Sequence, residues 1–213
     1  MFRQQGLTLI ELLVVMALAA ITAVIALPEM AHWAATRRVA AQAERLANLI
    51  RFARHEAVRL NLPVYICPVQ IRKDGNPDQY CDTRYLNQGI AAFADTDRNR
   101  AYTRKTDLPL RTVIFNSNGS DNLTSRITVT DFSGNAYAQD PVWLFQPDGR
   151  FGHAPDVSAP FAFSDGLVKI ILTDSRADTQ QQRRQRAAIV LIDHSGRVST
   201  CRPDDNLRCS YTE

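Results

Sequence analysis

The sequence predicts an α+β protein in which one long N-terminal helix packs on a C-terminal antiparallel β domain. Three observations predict it. An apolar run opens the chain, a helix-period stripe follows, and period-two alternation takes over beyond residue 62. The 213 residues are 45% hydrophobic and 22% charged, with nine Gly and ten Pro, and the mean hydropathy is slightly negative. Such a chain is neither a polytopic membrane protein nor a disordered or fibrous one. Its net charge of +3 is local. Residues 29–61 carry six Arg and three Glu, whereas residues 62–213 carry 18 basic and 18 acidic side chains. An electroneutral head is a poor starting point for a protein that coats nucleic acid.

The first element is residues 7–27, where only Thr8, Glu11 and Thr22 are not hydrophobic. At about 1.5 Å per residue such a run spans a bilayer core. A secretory signal would have a shorter apolar core and a cleavage site after it. A plain anchor has no reason to carry Glu11, because an unpaired charge in mid-membrane costs roughly 2.5–3.5 kcal/mol. The carboxylate therefore needs a partner. Counting Lys and Arg does not orient the span, since Arg3 precedes it while Arg37 and Arg38 follow it.

The string Gly6-Leu7-Thr8-Leu9-Ile10-Glu11, within the apolar run that ends at Pro28, resembles the class III signal sequence of type IV prepilins. The resemblance implies a leader of residues 1–6, cut after Gly6 by prepilin peptidase on the cytoplasmic side. Leu7 would become the N-methylated terminus, and residues 7–28 a transmembrane and assembly helix. Glu11 would then lie one turn from the new amine, or beside that of a neighbouring subunit, and be neutralised there. Pro28 matches the place where helices of this family bend or partly unwind, so a break is expected there.

The second element is an amphipathic helix over residues 29–61, free of Gly and Pro and rich in Ala, Leu and Arg. Val39, Ala43, Leu46, Leu49, Ile50, Ala53, Ala57 and Leu60 form a stripe that should face the head. Arg37, Glu44, Arg51 and Arg59 lie off it. The arginines suit either a solvated face or subunit contact. Asn61-Leu62-Pro63 ends the helix.

The third element, residues 62–213, is the β-rich head. Strands are expected at 64–71, 90–94, 110–116, 126–132, 142–146, 167–173, 187–192 and 197–200, with turns at Asp148-Gly149, Asp165-Gly166 and Ser195-Gly196. Residues 174–186 are polar and read as an exposed loop. Cys67, Cys81, Cys201 and Cys209 permit three pairings, of which proximity favours Cys67–Cys81 and Cys201–Cys209. They lack the C-x-x-C and nearby His pair of a zinc site. An even count points to an oxidising compartment, the periplasm or cell surface.

Catalytic constellations are weak. Asp193-His194-Ser195 reads as a turn, because neighbours at a strand end cannot form a relay among themselves. Asp95-x-Asp97-x-Asn99 resembles the start of a calcium loop but lacks its sixth-position Gly and twelfth-position Glu. No enzyme activity, cofactor, metal or small-molecule substrate is expected.

The assembled pattern resembles the GspH/FimT branch of pilins and pseudopilins, and is similar to neisserial PilH-type minor pilins. The resembling residues are Val64-Tyr65-Ile66-Cys67-Pro68, Gly89-Ile90-Ala91-Ala92-Phe93-Ala94-Asp95 with Asp97 and Asn99, Phe145-Gln146-Pro147-Asp148-Gly149, and Ser195-Gly196-Arg197-Val198. The resemblance implies the type IV pilin fold, with two sheets on the C-terminal half of the helix. It implies a minor pilin that primes pilus assembly, stored in the inner membrane of a Gram-negative bacterium. The N-terminus would be cytoplasmic and the head periplasmic, and the assembled protein would sit at the pilus tip. Implied partners are other minor pilins, the major pilin, prepilin peptidase and the inner-membrane assembly platform. A pseudopilin of type II secretion is an alternative. DNA binding is another, ranked lower. In the family's G-R-x-R-x-C motif Arg197 matches but Ser199 replaces the second Arg; Arg202 and Arg208 lie nearby, with Asp204 and Asp205 beside them.

Overall fold

The computed structural model describes residues 8–116, 123–131, 133, 135–163 and 165–211, and of residues 25–28 the backbone alone. Its first element, α1, is a helix of 52 residues, Leu9–Leu60, about 78 Å long at 1.5 Å per residue. Asn61 turns left-handed (φ 55°) and stops it, as Asn at a helix terminus can. The stripe is buried as expected at Val39, Ala43, Leu46, Leu49, Ile50, Ala53 and Ala57, with Leu60 half-buried, while Arg37, Glu44, Arg51 and Arg59 are exposed. The break expected at Pro28 is not present: α1 is one uninterrupted element through that position. Proline removes one N–H and crowds the preceding turn, which a helix can absorb without ending.

Twelve strands follow among the described residues: β1 (Val64–Ile71), β2 (Pro77–Tyr80), β3 (Gly89–Ala94), β4 (Leu108–Ile114), β5 (Leu123–Thr130), β6 (Ala136–Ala138), β7 (Val142–Phe145), β8 (Phe151–Ala154), β9 (Ala162–Phe163), β10 (Leu167–Asp174), β11 (Ala188–Ile192) and β12 (Val198–Cys201). They form two antiparallel sheets. One has the order β4-β3-β1-β7-β8-β9, with β2 hung on β1; the other has the order β12-β11-β10-β5-β6. The inner faces meet around α1. Ile66, Ala92 and Phe145 from the first sheet join Val168, Ile170 and Val190 from the second and Leu46, Leu49 and Ile50 from the helix in one core.

Each outer face has a small apolar cluster of its own. On the first sheet Tyr65, Phe93 and Leu144 lie beneath Tyr80, Tyr102 and Phe161, with Tyr65 and Phe93 stacked at 5.5 Å. The Cys67–Cys81 bridge ties β1 to the residue after β2. On the second sheet Leu167, Ile171, Ile189 and Leu191 are covered by Cys209 and Tyr211 of the C-terminal segment, which the Cys201–Cys209 bridge holds down. Both bridges are those that proximity favours.

The head departs from the expected strand list in three ways. Strands β2, β6, β8 and β9 were not expected; they are two to four residues long, too short for alternation to register. Strands β4 and β5 begin two and three residues earlier than expected. The 174–186 loop instead starts inside β10, buries Ala177 and contains a short helix, α2 (Gln180–Gln185). Thr179 caps α2 by accepting the Gln182 N–H at 3.2 Å, while the Gln182 side chain accepts the Asp178 N–H at 3.2 Å. The three turn glycines have positive φ. At Gly196 a Cβ would stand 2.7 Å from the Phe145 ring, so both conformation and space require glycine there.

Candidate functional site

Two halves of α1 meet different surroundings. From Leu9 to Val24 the side chains stand exposed, including Leu9, Ile10, Met16, Ile21 and Val24. None of the most apolar 18-residue window is buried, and it is long and apolar enough to cross a membrane. Soluble proteins rarely display so large a contiguous apolar surface, which marks a membrane or assembly contact.

Polar groups within that surface are satisfied locally, apart from one. The Thr22 hydroxyl donates to the carbonyls of Leu18 and Ala19 at 3.0 and 2.9 Å. Thr8 caps the helix, its hydroxyl accepting the Glu11 N–H at 3.3 Å. Thr8 and Glu11 thus have the S/T-x-x-E spacing of a capping box, a signal present in the sequence that its apolar neighbours mask. Among the described residues the Glu11 carboxylate itself meets no cation and no donor. Gly6 and Leu7, the expected processing pair, lie outside the described residues, and Pro28 lies within the helix.

The three candidate DNA-contacting arginines line two adjoining grooves, which share Thr200 and Cys201. Arg197 and Arg208 line a groove of about 850 Å³ with Leu191, Val198 and Leu207. Arg202 lines a different groove, between the C-terminal segment and Trp33, Arg37 and Glu44 of α1. Arg183, Arg184 and Arg186, a further group of basic side chains close in sequence, are largely committed within the molecule. Arg184 pairs with Asp204 at 2.6 Å, Arg186 with Asp174 at 3.3 Å, and Arg183 donates to the Ala177 carbonyl.

Comparison with known proteins agrees with this geometry. The profile of the type II transport protein GspH matches residues 42–196, and the prokaryotic N-terminal methylation motif matches residues 1–27. The chain belongs to the GspH family. That family comprises minor pilins and pseudopilins of type IV pili and type II secretion. Among solved structures the chain is similar to the type IV minor pilin FimU of Pseudomonas aeruginosa, at 16% identity over 81% of this chain and 96% of that one, with a TM-score of 0.41. It is also similar to the minor pseudopilin EpsH from the type 2 secretion system of Vibrio cholerae, at 7% identity over 79% and 99%, with a TM-score of 0.45. No curated protein matches the sequence significantly.

Within this GspH-family head the remaining titratable clusters are structural. Carboxylate oxygens of Asp95, Asp97 and Asp107 lie within 4.8 Å of one another. The buried pair is occupied by backbone: Asp95 accepts the Asn99 and Arg100 N–H groups, and Asp107 those of Thr96 and Thr103. Burial pushes the Asp95 carboxyl above its ordinary range, against the pull of the Arg100 N–H. His153, which sequence reasoning left unassigned, is buried in β8. One ring nitrogen lies 2.6 Å from Asp140 and the other 3.2 Å from the Asp165 carbonyl, so both are used inside the fold. Asp193-His194-Ser195 is a turn: the Ser195 hydroxyl donates to Asp193 at 2.6 Å, and the Arg197 N–H donates to the same oxygen at 2.9 Å.

Proposed function

We propose that this chain is a minor pilin that helps initiate type IV pilus assembly, polymerising through α1 with other minor pilins at the pilus tip. The observation that carries the reading is the exposed apolar half of α1 with a single carboxylate, Glu11, set in its first turn. In this reading prepilin peptidase cuts after Gly6 and frees the Leu7 amine. The helix holds the chain in the inner membrane, with the head in the periplasm. On assembly the apolar face leaves lipid for the helices of other pilins, and Glu11 pairs with an N-terminal amine. Leaving that carboxylate unpaired in the apolar layer would cost roughly 2.5–3.5 kcal/mol, so the pairing fixes the axial register of each subunit. The test is Glu11→Val in the full chain: pilus number should fall sharply while the melting temperature in detergent is unchanged. Normal piliation would overturn the mechanism.

A second reading, a pseudopilin of type II secretion, is favoured by the family description itself. A deletion scored for piliation and for protein secretion separates the two. Scoring DNA uptake in the same strain addresses the groove that Arg197 and Arg208 share. A DNA contact there predicts steeply salt-dependent binding that is lost in Arg197→Ala.

A further inference from the structure

His153 and Asp140 are buried together, with 2% and 11% of their side chains exposed. His153 lies in β8 between Trp143 of β7 and Ala162 of β9. Its Nδ1 is 2.6 Å from an Asp140 carboxylate oxygen, and its Nε2 is 3.2 Å from the Asp165 carbonyl. Asp140 stands just before β7 of the first sheet, and Asp165 just before β10 of the second. The ring therefore spans the passage of the chain from one sheet to the other.

A neutral imidazole has one N–H and one lone pair. A carbonyl oxygen can only accept, and so can an ionised carboxylate. A neutral ring between these two would aim its lone pair at one of them. Both contacts are satisfied when the pair holds one more proton. The ring is then an imidazolium facing a carboxylate, or a neutral ring that accepts from a protonated Asp140 while Nε2–H donates to Asp165. The proton belongs to the pair, and in either placement the pair is neutral overall. Removing it would leave an uncompensated buried negative charge. The surroundings add to that cost. On β6, burial together with Asp165, Asp140 and Asp131 pushes the Tyr137 phenol above its ordinary range, which marks an acidic corner. Trp143 and Ala162 bring no charge, and Arg150, the basic residue nearest in sequence, is engaged with Asp148 and the Phe163 ring. We propose that His153 and Asp140 form a proton-operated clamp between the two sheets. With the proton held, β8 is fastened both to Asp140 and to the turn that opens β10. When the proton leaves, Nδ1–H stays with the ionised Asp140 at the shorter contact. Nε2 then turns a lone pair on the Asp165 carbonyl, and the turn is released. A proton held more tightly in the folded than in the unfolded chain stabilises the fold at low pH, and that contribution is lost as pH rises. The clamp is a property of the head and does not depend on the assembly reading.

Two measurements on the full chain in detergent test it. The first is nitrogen NMR of isotope-labelled histidine near pH 8, where an exposed histidine, with a pKa of about 6.5, is neutral. The His153 signal is identified by its loss in His153→Gln. The expected result is a proton on Nε2; an Nε2 without its proton would overturn the proposal. The second compares urea unfolding of wild type and Asp140→Asn. An asparagine amide can donate to Nδ1 of a neutral ring, so this variant closes the clamp without the extra proton. Above the pH at which the pair releases its proton, the wild-type folding constant should fall against that of Asp140→Asn by up to about tenfold per pH unit. A ratio that stays constant with pH would overturn the clamp.

Discussion

Asp193 and Glu11 are carboxylates in opposite circumstances. Asp193 closes the turn before β12, accepting the Ser195 N–H at 2.9 Å, the Ser195 hydroxyl at 2.6 Å and the Arg197 N–H at 2.9 Å. Burial pushes its carboxyl up, yet the Ser195 and Arg197 donors together hold it below the ordinary range. A depressed carboxylate contributes stability above its unfolded pKa and loses it as pH falls through the folded one. Asp193→Ala should therefore cost about 1–3 kcal/mol at neutral pH. In urea titrations the difference from wild type should shrink as pH drops below the usual carboxylate range; a gap that stays constant would refute the linkage. Among the described residues the Glu11 carboxylate has no such partners. Only the residue's N–H serves the Thr8 cap, so Glu11→Val leaves that bond intact. A piliation defect in the variant would then report lost charge pairing, since the helix start is unaltered.

Among the elements, α1 and the Cys201–Cys209 segment close the two sides of the second sheet. Leu46 is fully buried between the helix and both inner faces. Leu46→Ala should lower stability by about 2–5 kcal/mol, measurable as an earlier urea midpoint with the helix still formed. Cys201→Ser/Cys209→Ser should lower it by about 2–3 kcal/mol in the chain-entropy picture, by freeing the unfolded chain; an unchanged midpoint would mean that packing over Leu167, Ile189 and Leu191 alone holds the segment. Much of this arrangement was legible in the sequence. The stripe from Val39 to Ala57 has a strong period, and all eight expected segments are strands, as β1, β3, β4, β5, β7, β10, β11 and β12. What escaped follows from length and context. Strand β8, Phe151-Gly152-His153-Ala154, is as buried as β7 or β11 but mixes glycine and histidine, so it lacks the run of β-branched and aliphatic residues by which those strands are read. Helix α2 sits in a glutamine- and arginine-rich stretch whose polarity hid its Thr179–Gln182 cap. The same T-x-x-E/Q spacing opens α1, so one overlooked signal accounts for both helix starts. The candidate arginines are divided between two adjoining grooves, Arg197 and Arg208 in one and Arg202 in the other, a division set by the path of the bridged C-terminal segment that proximity in sequence does not foretell.

The molecule as a whole is three zones in series: an apolar half-helix, an arginine-bearing half-helix and an electroneutral two-sheet head. The first contributes nothing to the stability of the last two, since its side chains from Leu9 to Val24 are exposed and, among the described side chains, the first buried one of α1 is Ala35. Deleting residues 1–28 should therefore leave the unfolding free energy within about 0.5 kcal/mol of the full chain, the range of substitutions that touch no packed feature. The two forms should differ in solvent requirement, the full chain partitioning into detergent micelles and the shortened one remaining in buffer at the same concentration. A loss of several kcal/mol on deletion would mean that the apolar half folds back on the head, and would remove the exposed surface on which assembly depends. Equal stability would place the whole cost of exposing that surface on the membrane or on neighbouring subunits. That condition drives a stored precursor into a filament once other helices offer a better contact than lipid.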